Sequence, residues 1–114
     1  MSQSTKTLKE FGAVSVQGGT LEIVIGTGAL GGLSTSKTVS DVRTTGASTG
    51  TLADGATGQI KTIVMTVDGG DYVLTPANLT GGTTITFADV ADCVTLLFAN
   101  GSWVITANSG AVLA

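Results

Sequence analysis

The chain contains no histidine and a single cysteine, Cys93, among its 114 residues. The first absence removes the commonest general base and the commonest zinc ligand together. The second excludes an intrachain disulfide and a cysteine metal cluster, and without a histidine to activate it Cys93 reads as an inert packing thiol. Charge is scarce as well: 11% of residues are charged, five basic against eight acidic, where soluble domains commonly carry about 25%. The bases, Lys6, Lys9, Lys37, Arg43 and Lys61, are dispersed. With no basic stripe to displace counterions from phosphates, nucleic acid is not an expected partner. No apolar run reaches the length of a membrane span and residues 1–20 hold no apolar signal core, so neither a membrane nor a secretory route is expected.

Helical periodicity is almost missing, with at most a single turn at Thr7–Phe11. In its place Thr, Val and Ile recur in short runs bounded by Gly, Asn and Asp, which is the pattern of strands joined by tight turns. The length is that of one domain. The expectation is an all-β fold, an antiparallel β-sandwich or barrel-like domain of hairpins with an N-terminal extended arm.

Asn100-Gly101 marks a two-residue hairpin turn, since both residues tolerate positive φ. The register that follows sets Ala99 against Ser102, Phe98 against Trp103 and Leu96 against Ile105. Val94, Leu96, Phe98, Trp103, Ile105 and Ala107 then share a core face. The opposite face carries Cys93, Thr95, Leu97, Val104 and Thr106, half polar and better suited to a subunit interface or second sheet than to water. A second hairpin is expected about Gly69-Gly70, with Val67 against Tyr72 and Met65 against Leu74, so that Ile63, Met65, Val67, Tyr72 and Leu74 lie together. Thr83–Phe87 reads as a further strand. Thr20–Ile25 and Thr38–Arg43 read as strands separated by the glycine-rich 26–32, and 44–58 as a long loop. A soft boundary near residue 50 divides 1–50, an arm and partner-contacting β segment, from 51–114, a compact body.

Gly26-Thr27-Gly28-Ala29-Leu30-Gly31 matches a dinucleotide fingerprint in letters, but the β-leaning sequence after it offers no helix to meet a pyrophosphate. Asp68 with Asp71, and Asp89 with Asp92, could supply oxygens to Ca²⁺, yet neither pair fills a coordination shell and turn chemistry accounts for both. No catalytic, cofactor or metal residues are assigned, no cofactor is expected, and the chain reads as non-enzymatic.

From Gly58-Gln59-Ile60-Lys61-Thr62-Ile63 through Asp68-Gly69-Gly70-Asp71-Tyr72-Val73-Leu74-Thr75-Pro76, Gly82–Phe87, Asp89–Leu96 and Asn100–Ile105, the sequence resembles the β domain of small virion structural and fibre-like proteins of tailed bacteriophages, particularly those of marine bacteria and cyanobacteria. The likeness covers about Leu52 to Ile105, and residues 1–50 match no named pattern. The resemblance implies a structural role and trimerisation. The expected function is that of a capsid decoration or cement protein, complete as it stands, bound to the outer surface of the major capsid shell. Its expected partners are itself, as a homotrimer, and the major capsid protein, and its place is the virion capsid surface after assembly in the host cytoplasm. Leu96, Phe98, Trp103, Ile105, Met65, Tyr72 and Leu74 are the expected core and oligomer-packing residues. Lys6, Leu8, Lys9 and Phe11 are the expected capsid-contact arm. A host-attachment fibre module that binds a receptor or glycan is the alternative, with Tyr72 and Trp103 the aromatics available to stack on a sugar.

Overall fold

A computed structural model of the chain describes residues 20–114, so the arm residues Lys6, Leu8, Lys9 and Phe11 and the turn expected at Thr7–Phe11 lie outside the described residues. The described chain is all-β, with eight strands and no helix: β1 Leu21–Gly32, β2 Val39–Leu52, β3 Ile60–Val67, β4 Tyr72–Pro76, β5 Ile85–Phe87, β6 Cys93–Ala99, β7 Ser102–Ser109 and β8 Val112–Leu113. They form one curled, barrel-like sheet in the order β7-β6-β3-β2-β4-β5-β8, with β1 on β2. The sheet is mixed, which corrects the expectation of antiparallel pairing throughout. β2 runs parallel to β1, β3 and β4, and the remaining pairs are antiparallel.

The parallel part is wound rather than folded back. Gly32 pairs with Thr51 while Leu21 pairs with Val39, so the chain must return from one end of β1 to the other between Gly32 and Val39. A connector that short reaches about 25 Å at most, less than an extended strand of twelve residues, and β1 has to curl to bring its ends together. The glycine-rich 26–32 is therefore strand, not a separator, and Gly26, Gly28 and Gly31 take positive φ where the register shifts. Residues 44–52, expected as loop, are strand too, because β1 and β4 pair with them on either side. β2 runs straight through residue 50.

Gly69-Gly70 does not turn a hairpin. β3 and β4 follow one another along the same edge of β2, Val39–Arg43 pairing with β3 and Ser48–Leu52 with β4. Val67 therefore does not meet Tyr72, and it lies exposed. The glycines serve close approach instead: a Cβ on Gly69 would overlap the backbone of Thr44 and Thr45, and one on Gly70 that of Gly46 and Ala47. Thr44 ties the crossing down, its Oγ1 accepting from Gly69 N at 3.0 Å and donating to Gly70 O at 2.7 Å.

The C-terminal hairpin has the expected register, with Asn100 and Gly101 at φ 54° and 78°. A bulge between Thr95 and Leu96 sets Ala107 opposite Thr95, so Ala107 leaves the core face and is exposed. The strand expected at Thr83–Phe87 is confined to Ile85–Phe87. The curl closes where the chain after β4 meets β7: Trp103 N donates to Asn78 O at 3.0 Å, Thr80 N to Trp103 O at 2.9 Å, and Trp103 Nε1 to Ala53 O at 2.9 Å. Inside sit Met65, Tyr72, Leu74, Leu96, Phe98 and Trp103, joined by Val42, Leu52, Ile63, Ile85, Phe87 and Val94, with Ile105 partly buried against them. Phe98 and Trp103 stack edge to face with centroids 5.1 Å apart. Each large side chain fully removed from water contributes about 1.5–3 kcal/mol before the cost of ordering the chain.

Candidate interaction surface

Because paired residues in a sheet point the same way, the registers define the face turned away from this core. One row runs Leu21, Val39, Thr62, Thr95 and Ala107, a second Ile23, Asp41, Val64, Cys93 and Ser109, a third Ile60, Leu97 and Val104, and a fourth Ile25, Arg43 and Val67. The surface thus crosses β1, β2, β3, β6 and β7 without a break. Leu21, Ile23, Ile25 and Ile60 stand 46%, 51%, 60% and 53% exposed, and Val67 is 47% exposed. Val39, Val64, Cys93, Leu97 and Val104 are half-buried among them. Large apolar side chains exposed together on one face mark interaction surfaces more often than scattered single ones do.

The few polar groups on this face satisfy one another. Arg43 donates to Asp41 Oδ2 from Nε at 3.0 Å and from Nη2 at 2.8 Å, and Thr66 donates its hydroxyl to Asp41 Oδ1. The hydroxyls of Thr62 and Thr95 lie 3.3 Å apart. The ion pair cancels its own charge, so the face carries no net field to select a charged ligand. Burial pushes the Cys93 thiol above its ordinary value and keeps it a poor nucleophile.

A polar cluster lies behind β1 and β3, on the inner side. Lys61, fully buried, donates from Nζ to Ser34 O at 2.7 Å and Lys37 O at 2.9 Å, and reaches Glu22 Oε2 at 3.5 Å. The same carboxylate oxygen accepts from Ser34 N at 2.6 Å and Ser40 Oγ at 2.5 Å. Burial by itself would raise Glu22, but the Ser40 hydroxyl, the Ser34 amide and Lys61 outweigh it and hold the carboxyl below its ordinary value. Burial lowers Lys61, and Glu22 opposes that shift. The amine is thus occupied as a staple that fixes the β1–β2 connector to β3. Beside it a hollow of about 320 Å³ is lined by residues 35–38 and 58–60, of mixed polar and apolar character.

The expected packing residues meet in the core, but the surface that faces outward is made of others. Its β6–β7 part, Cys93, Thr95, Leu97 and Val104, is where sequence alternation set it. Thr106 forms the bulge of β7, its hydroxyl donating to Thr95 O at 3.2 Å. The β1 part, Leu21, Ile23 and Ile25, was readable as strand but not as a face, because nothing local says which side of β1 the core takes. Lys61 reads from composition as a surface base, yet it shares its parity with Ile63 and Met65, the signal that marks it as inward. Asp92 acts through turn chemistry as expected, its Oδ2 accepting from Ala88 N at 2.9 Å and Asp89 N at 3.0 Å. Among the described residues no three His, Cys, Asp or Glu gather as a metal site. No protein-family model matches the chain, and no curated protein matches it.

Proposed function

We propose that this chain is a structural protein that acts by burying its outer sheet face against copies of itself and against a larger shell, as a capsid decoration or cement protein does. The observation that carries the reading is the outer face from β1 to β7, where Leu21, Ile23, Ile25, Ile60 and Val67 stand exposed and the Asp41–Arg43 ion pair is internally compensated. A surface of that kind gains about 25 cal/mol for each Å² removed from water, and many shallow contacts repeated by symmetry add to a firm attachment. The viral setting and the trimeric count rest on the sequence resemblance, and the part assigned to the N-terminal arm rests on its apolar and basic residues.

The attachment-module reading draws no support from the aromatics it needs. Tyr72 and Trp103 are both fully buried, so neither presents a ring to a sugar. Reconstruction of a tailed-phage virion that carries this chain tests the proposal. Copies spread over the capsid lattice are the expected result. A few copies confined to a vertex or tail would contradict decoration. In the same system, removal of residues 1–18 is expected to abolish capsid binding while leaving self-association intact.

A further inference from the structure

If copies meet through the outer face, the edge of β1 that no described strand covers shows how two of them would join. This step rests on the self-association just proposed. The geometry points to residues 21–25 of β1 as a strand-addition site, occupied by the same segment of a second copy, antiparallel, about a two-fold axis at Ile23.

The template is defined by the backbone. Val39 N donates to Thr20 O at 3.0 Å, so even-numbered residues at the start of β1 direct their main-chain groups toward β2. By alternation Leu21, Ile23 and Ile25 direct theirs away, and among the described residues β1 pairs with no strand but β2. The register from Leu21 to Gly26 is regular, and it shifts only beyond that point. The other ends of the sheet offer less: β7 is met at Trp103 by the segment after β4, and β8 is two residues long.

Long edges in soluble proteins are blunted by lysine, proline, bulges or inward charges. Residues 21–25 hold no lysine and no proline, and their one charge, Glu22, is taken up by Ser34, Ser40 and Lys61. A second copy suits this edge better than an arbitrary strand because the segment is complementary to itself. With the axis at Ile23, Leu21 lies opposite Ile25 of the other copy and Glu22 opposite Val24, so no like charges face each other and every exposed apolar side chain meets another. The main-chain groups of Leu21, Ile23 and Ile25 then pair with those of the same residues, and two outer faces fuse into one surface of double width.

Residue-resolved amide hydrogen exchange on the unmodified protein tests this, read together with its mass by light scattering across a dilution series. The amides of Glu22 and Val24 are protected by β2 at any concentration. Those of Leu21, Ile23 and Ile25 are expected to exchange at least about tenfold more slowly in the assembled sample than in the dilute one. Ile23→Pro, which removes an outward donor and none that bonds β2, is expected to halve the assembled mass. An assembled protein whose three outward amides exchange freely would overturn the β1 pairing and leave the self-association standing. Protection that persists in the monomer would overturn it as well, because a segment of the same chain would then cover the edge. A monomer at every concentration would overturn both readings.

Discussion

Tyr72 carries a buried hydroxyl with no hydrogen-bond partner, directed at Gly50 on the neighbouring strand. Burial pushes its ionisation far above the ordinary tyrosine range, so the group stays a neutral, unpaired phenol. An unsatisfied buried hydroxyl costs about 1–3 kcal/mol, and Tyr72→Phe is expected to leave the fold unchanged or raise its stability in a denaturant titration. Gly50→Ala is expected to lower it by about 1–3 kcal/mol, since the new methyl would overlap that hydroxyl. The double variant should recover much of the loss, a coupling that a simple effect on strand propensity would not produce. At Lys61, replacement by Met leaves Glu22 and two carbonyls without their donor, and a loss of about 2–3 kcal/mol is expected, discounted because Glu22 is partly exposed. The pH dependence follows from the depressed Glu22 carboxyl. Its contribution is complete above its ordinary value of 4.5 and is lost as pH falls through the lower folded value. Denaturation midpoints measured against pH should thus fall more steeply in acid for the natural protein than for Glu22→Gln.

The crossing between β3 and β4 shows how an element can mislead a local reading. Two glycines between apolar runs resemble a hairpin turn, yet neither Gly69 nor Gly70 has the positive φ that Asn100 and Gly101 share. Their missing side chains let the crossing lie flat on β2. Gly70→Ala should therefore lower stability by about 2 kcal/mol or more, and should slow the return of β4 protection in hydrogen exchange, where a surface hairpin turn would tolerate the change. The β6–β7 hairpin was legible because its register depends on residues next to one another in sequence. The parallel pairs were not, because Leu21 meets Val39 and Ser48 meets Tyr72 across connectors that carry no helix, and parallel pairing is usually announced by one. The β6–β7 share of the outer face was legible for the same local reason, while the β1 share depended on a partner strand that only the fold supplies.

For the whole molecule, the curl puts one apolar surface inside and leaves a second outside, and only the first is covered by the described residues. Single exposed hydrophobics are ordinary, but Leu21, Ile23, Ile25, Ile60 and Val67 gathered on one face of the sheet call for a neighbour. Ile60 and Val67 are solvent-facing, so Ile60→Lys with Val67→Lys should change the stability of the folded subunit by about 0.5 kcal/mol or less per site. Buried against another copy, however, an unpaired ammonium is costly, and the two changes should disrupt assembly. Sedimentation equilibrium of the natural protein beside this double variant tests the central claim most directly. The account predicts a multiple of the subunit mass for the first and, for the second, a folded protein of lower mass, no larger than the pair held by the β1 edge. A natural protein that stays monomeric to its solubility limit would contradict it.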